Sequence, residues 1–324
     1  MKNMDHNARI IILVGAALLV FILSLFVGRY PLTPWGLQND EMAFRIFRDI
    51  RLPRVIIAAL LGASLAVAGA TLQSTFRNPI VGPSILGVSQ GAAFGAALAI
   101  LYFSGYPLLI EVSSTLFGVI ALVLSYGVSR FVRYGDNVLR LILAGLVVSA
   151  LFSGGVGIMK SLADPLNQLP ELTFWLLGGL SGVTWVDLYY VSPFVFLGIL
   201  VLLLVRWRLN LLVMDDDVIK SLGVDPVILR VIAVSSSVAV IAAVTSVAGV
   251  INWMGLIAPH MARKLFGVNN KQIIPASILL GAVLMIIFDD ISRTLSSGEI
   301  PLGVSMSLLG APLFILLLSR GESQ

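Results

Sequence analysis

Four arginines, Arg45, Arg48, Arg51 and Arg54, recur at every third position. On a helix such residues share a face, with Pro53 interrupting the run. Joined by Arg293, they read in one of two ways. They form a basic rim that docks an acidic soluble partner, since the guanidinium fork matches carboxylates, or they snorkel to headgroups at the end of a span. Asp40, Glu41 and Asp49 partly neutralise Arg45 and Arg48. Arg51, Arg54 and Arg293 are therefore the stronger docking candidates. A second constellation is acidic. Asp215, Asp216 and Asp217 open a short helix, where carboxylates favour the dipole. Lys220 and Leu222 end it, and Gly223 suits the position after its C-cap. Asp225 and Pro226 then read as N-cap and first residue of a second helix. Two short helices about a glycine turn make a knob within 206–230, either a surface for another protein or a plain linker. Asn78-Pro79 and Pro259-His260 read as helix breaks. At membrane depth such breaks line a cavity or are buried in protein; otherwise they are interfacial turns. His260 is expected to make a structural hydrogen bond.

Other chemistry is disfavoured. The chain has no cysteine and two histidines, His6 and His260, which argues against a metal centre, and no bound cofactor is expected. Asp289-Asp290 resembles half of a magnesium–diphosphate site, but Arg293 stands where a third aspartate would be needed. No Gly-x-x-x-x-Gly-Lys-Ser/Thr occurs, so the chain does not cradle ATP phosphates itself. If ATP drives it, a partner subunit holds the ATP and its magnesium.

The elements that position these residues are membrane helices. Of 324 residues, 58% are hydrophobic and 12% charged, and the mean hydropathy is +1.00. A soluble domain carries about 25% charged residues. The net charge of +4 fits cations at the cytoplasmic membrane face better than a nucleic-acid partner. A span needs about 20 apolar residues, which predicts ten, near 10–28, 55–75, 84–103, 113–133, 138–159, 188–205, 229–249, 254–266, 273–293 and 302–319. The run Ile10 to Val27 reads as a retained first span, not a cleaved leader. With both termini inside, 14 of the 21 Lys and Arg are inside, Lys2 and Arg320 among them, and 7 are outside. That follows the positive-inside bias. The whole chain, 1–324, reads as one membrane domain, with its longest polar stretches at 29–54 outside and 206–230 inside.

Val67-Ala68-Gly69, Pro79 and Gly87-Val88 recur 180 residues later as Val247-Ala248-Gly249, Pro259 and Gly267-Val268. Five spans lie between the copies, so the second is inverted, a transporter signature; the other reading is compositional coincidence. Small residues at four-residue spacing (Gly62, Ala66, Ala70; Gly145, Ser149, Ser153; Gly91, Gly95) predict close helix packing. Ionisable groups within the spans are scarce, which counts against a secondary transporter.

Several motifs together resemble the FecCD-type permeases: Arg51-Leu-Pro-Arg54, Gly62-Ala-Ser-Leu-Ala-Val-Ala-Gly69, Gln73, Arg77-Asn-Pro79, Arg140-Leu-Ile-Leu-Ala-Gly145, Ser221-Leu-Gly-Val224, Gly255-Leu-Ile-Ala-Pro-His260 with Arg263, and Ile300-Pro-Leu-Gly303. The resemblance runs from about residue 50 to the C-terminus. It implies an all-α, ten-span permease of a type II ABC importer in the plasma (inner) membrane. It implies a homodimer with a central pathway, two cytoplasmic ATP-binding subunits and an extracytoplasmic binding protein. The cargo implied is an iron–siderophore or haem, then vitamin B12 or molybdate. In the family, positions matching Arg51, Arg54 and Arg293 meet acids of the binding protein. The coupling helices match about 215–230, and the cytoplasmic gate falls at Val138 and Leu139.

Overall fold

The computed structural model describes residues 6–319 except 104, 136 and 297. Lys2, Arg320 and the side chain of His6 lie outside the described residues. From α1 (His6–Phe26) the chain passes through two short helices, α2 (Gly36–Asn39) and α3 (Glu41–Arg45), into α4 (Leu52–Thr75). Then come α5 (Val88–Tyr102), α6 (Pro107–Ser129), α7 (Asn137–Leu162), the short α8 (Gln168–Leu177) and α9 (Trp185–Val205). The small α10 (Asp216–Ser221) precedes α11 (Pro226–Ala248), α12 (Met254–Phe266), α13 (Asn270–Thr294), α14 (Leu302–Ser305) and α15 (Ala311–Ser319). No strand occurs among the described residues.

Among the described residues, eight helices are long and apolar enough to cross a bilayer. The third and eighth expected spans are the short ones: α5 has 15 residues and α12 has 13. At 1.5 Å per residue they reach about 22 and 20 Å, less than the ~30 Å of hydrocarbon. Irregular chain, 76–87 and 249–253, precedes each of them. The fourth expected span moves from 113–133 to 107–129, because Pro107 sets the first helical turn. The helix α8 has no counterpart among the expected elements.

Pro53 does not break α4. A π-helical turn, Ile46–Arg51, sits directly ahead of it, and Leu52 N donates to Phe47 O, five residues back. A second π turn, Met306–Gly310, sits ahead of Pro312. Proline has no N–H and crowds the carbonyl four residues back; a wider turn there keeps the helix continuous.

The helices form two groups. In one, α4 packs on α12 and α13, and α1 on α13. Here Gly62 and Gly281 meet so closely that a Cβ on either would clash with the other's carbonyl. In the second, α5, α6 and α7 pack mutually, around Phe94, Phe117 and Phe152 with ring centroids 5.2–6.3 Å apart. Two of the expected small-residue ridges lie in these seams. Gly91 and Gly95 abut Phe117 O and Ser113 O, and Gly145 abuts Ile85 O. Between the groups, α11 touches α4, α5, α6 and α9.

The repeat is real at the level of elements and not of the matched residues. Gly69 is inside α4 whereas Gly249 ends α11; Pro79 is in a loop whereas Pro259 is inside α12. What recurs is the order long helix, break, short helix, helix, helix. Pairing α4 with α11, α5 with α12, α6 with α13 and α7 with α14–α15 maps each packing contact onto another. The contact of α4 with α13 corresponds to that of α11 with α6, and α4 with α12 to α11 with α5. The two halves run in opposite directions, since α4 starts at the end where α11 finishes.

Candidate functional site

The first end of the bundle collects 27–51, 105–106, 163–184, 249–253, 295–296 and 298–301, tied by Arg29 to Ser296 O at 2.8 Å and Trp185 Nε1 to Arg48 O at 3.0 Å. The expected rim of Arg51, Arg54 and Arg293 is here, but it is not a rim. The three residues are only 4%, 8% and 6% exposed. Arg54 grips Asp289 through Nε (3.1 and 3.0 Å) and a terminal nitrogen (2.8 Å), and its other nitrogen reaches Glu299 at 2.7 Å. Arg293 donates to Asp290 through Nε at 3.1 Å and to Ser24 O and Oγ at 2.8 Å. Arg51 donates to the carbonyls of Leu25, at 3.1 Å, and Tyr30. Arg54 and Arg293 thus pair with three carboxylates of the same chain, Asp289, Asp290 and Glu299, while Arg51 is held by backbone carbonyls. Burial tolerates such charges only when they are paired and hydrogen-bonded. Asp289 and Asp290 are consumed in these pairs. Arg45 and Arg48, the weaker candidates by sequence, are the accessible ones, with side chains 67% exposed.

Beside Arg54 lies a cavity of about 540 Å³, whose wall includes Glu171, Trp175, Gly249, Glu299 and Pro301. Its floor is backbone. Gly179 N donates to Ala248 O at 2.9 Å and Gly303 N to Gly178 O at 3.3 Å. Gly249 (φ +69°) approaches Trp175 O so closely that a Cβ has no room.

The opposite end collects 76–87, 130–135, 206–225 and 267–269. Here α10 opens at N-cap Asp215, with Asp216 and Asp217 in its first turn, and Leu222 is its C-cap. Gly223 turns with φ +78°. Asp225 Oδ1 accepts from Val227 N at 2.8 Å and Ile228 N at 3.3 Å, with Pro226 the first residue of α11. The second helix of the expected knob is therefore the first turn of the long α11. Asp216 accepts two hydrogen bonds from Arg230, at 2.8 and 2.6 Å. That guanidinium, first through its hydrogen bond, holds the Asp216 carboxyl below its ordinary value. Lys220 lies 3.6 Å from Asp217.

Asn78 and Pro79 sit in a true break, with Asn78 Oδ1 accepting from Ile80 N at 3.0 Å. Pro259 and His260 do not break their helix; α12 runs through them. The missing N–H of Pro259 frees the Gly255 carbonyl, and Gln73 Nε2 of α4 donates to it at 3.0 Å. Gln73 Oε1 in turn accepts from Arg263. His260 Nε2 lies 3.3 Å from Leu317 O, and its ring meets Phe314 edge-on. Val138 and Leu139 occupy the first turn of α7; Val138 packs on the core and Leu139 is exposed. Sequence reasoning missed Glu299, Ser24, Asn210 and the partners of Arg77, all joined by long-range contacts that no local spacing encodes.

The profile of the FecCD transport family matches residues 16–320. The molybdate import system permease protein MolB of Haemophilus influenzae is 38% identical, over 95% of this chain and 95% of its own. The hemin transport system permease protein HmuU of Yersinia pestis is 34% identical, over 90% of this chain and 88% of its own. A solved structure described as an inward-facing metal-chelate type ABC transporter superposes with a TM-score of 0.90 at 36% identity. It covers 97% of this chain and 99% of that one.

Proposed function

The chain belongs to the FecCD transport family and is the permease of a metal-chelate type ABC importer, and from that premise we propose how its two ends divide the work. The observation that carries the reading is the superposition of 97% of the chain on an ABC transporter of that type. The permease pairs with a second copy, and two cytoplasmic ATP-binding subunits carry ATP and magnesium. An extracytoplasmic binding protein delivers cargo, and both termini lie on the cytoplasmic side of the inner membrane. Gly154 and Gly157 of α7 face open space, which suits close approach of a second copy's helix.

The Arg54 end is the delivery face. An acidic binding protein meets the exposed Arg45 and Arg48 first, above the cavity bounded by Arg54 and Glu299. The 206–230 region is the coupling face, where α10 and the first turn of α11 receive the ATPase. Val138 and Leu139 stand at the inner mouth as gate residues. Rocking of the two helix groups about α11 alternates access.

The cargo is a ferric chelate or haem. A second reading, molybdate, is favoured by 38% identity to MolB across 95% of each chain. Uptake into proteoliposomes that hold the complete complex, read by metal mass spectrometry, separates them. Iron accumulation from ferric dicitrate or haemin supports the first reading, and molybdenum accumulation with no iron replaces it with the second.

A further inference from the structure

Two non-glycine residues among those described have left-handed backbones, Arg77 (φ 51°) and Trp253 (φ 71°). They occupy the equivalent breaks after α4 and α11, at opposite ends of the bundle. Such conformations persist only where surroundings impose them. For Arg77 the surroundings are visible. Its Nε donates to Leu212 O at 2.6 Å and a terminal nitrogen to Met214 O. Those carbonyls close the 3-10 segment Arg208–Val213 and lead directly into Asp215, the N-cap of α10. Carbonyls at a helix end have no partner in the helix, and a guanidinium fork fits two at once where an ammonium does not.

A second tie fixes the same segment. Asn210 Oδ1 accepts from Asn270 N at 2.9 Å and its Nδ2 donates to Asn269 Oδ1 at 3.0 Å. Asn270 Oδ1 then accepts from Ser74 Oγ of α4 at 2.8 Å. The segment that carries α10 is thus bolted to the end of α4 and the start of α13. From there α4 runs about 30 Å to Arg54, locked to α13 at Gly62 and Gly281.

We propose that Arg77 is the positioning residue that passes displacement of the 206–230 region into the α4–α12–α13 group. Through that group the displacement reaches the Arg54 end. This rests on the coupling role given to 206–230 above. Losing the fork leaves only the Asn210–Asn270–Ser74 tie between the α10 segment and α4, so most of the displacement no longer reaches the far end while ATP is still hydrolysed.

The natural absence of cysteine allows clean spin labelling at Tyr106→Cys and Ser296→Cys, which report the spacing of the two helix groups at the Arg54 end. The test uses the complete complex in nanodiscs, trapped with ATP and vanadate, with the ATPase rate measured in parallel. In the parent the trapped distance shifts. In Arg77→Ala the ATPase rate stays within about twofold and the shift falls to about a quarter or less. Arg77→Lys, which keeps the charge and the fold, retains about half of it. A full shift in Arg77→Ala, or in Arg77→Lys where the alanine variant does not assemble, overturns the proposal. So does an ATPase rate that falls in proportion to the shift, which would make Arg77 an assembly residue. A parent that binds the ATPase and shows no shift defeats the coupling role of 206–230 itself, and the clamp with it.

Discussion

Asp289 is 1% exposed, and Arg54 supplies three of its hydrogen bonds. Removing one partner of a buried pair strands the other's charge, at a cost of about 3–5 kcal/mol. Arg54→Ala is therefore expected to lower the detergent-solubilised melting temperature sharply, and Arg54→Ala with Asp289→Ala to recover part of it. Charge reversal at Arg45 and Arg48 should leave melting unchanged and weaken binding-protein affinity about tenfold, mostly in the on-rate. The arginine row was visible in the sequence as a spacing. Which arginines face water was not, because the partners that bury Arg54, Asp289 and Glu299, lie more than 230 residues away along the chain, and Ser24, which helps bury Arg293 beside its local partner Asp290, lies 269 away. The structural hydrogen bond expected of His260 corresponds to its contact with Leu317 O at 3.3 Å.

Helix seams are governed by what backbone can approach. Gly62→Val would push α4 from α13 against the Gly281 carbonyl, costing about 3 kcal/mol. Thermal unfolding checks this, with Gly15→Val, which faces open space, as the neutral comparison. In the 206–230 region the sign of a pH effect follows from Asp216, held low by Arg230. A lowered carboxyl stabilises above its unfolded pKa, about 4, and loses that stabilisation as pH falls through the depressed value. The pair is partly exposed, at 21% and 41%, so the effect is under about 1 kcal/mol. The protection factor of α10 amides, exchange normalised to its intrinsic rate at each pH, should therefore fall between pH 5 and 3 by less than about fivefold, and fall less in Asp216→Asn. Hydropathy and cations alone placed the span-length helices, with α6 starting six residues before the expected 113, and placed the bounds of α12 at 254–266. The start of α5 and the unbroken course of α12 through Pro259 were not legible. Proline marks a lost N–H in sequence, and only packing decides whether the helix widens, stops or lends its carbonyl to Gln73.

For the whole molecule, the inverted order of elements gives two similar groups that can exchange roles at the two ends, as alternating access requires. The matched residues at an offset of 180 pointed to a repeat for a partly mistaken reason, since the recurrence lies in element order and packing. The sequence has no ATP-binding loop and few ionisable groups along its spans, which places energy input on the proposed ATPase partner. The most direct test is cargo uptake in proteoliposomes containing the permease with and without each partner. The account predicts that ferric chelate, haemin or molybdate accumulates only when ATPase, ATP and binding protein are all present. Accumulation by the permease alone, driven by a proton or sodium gradient, would contradict it.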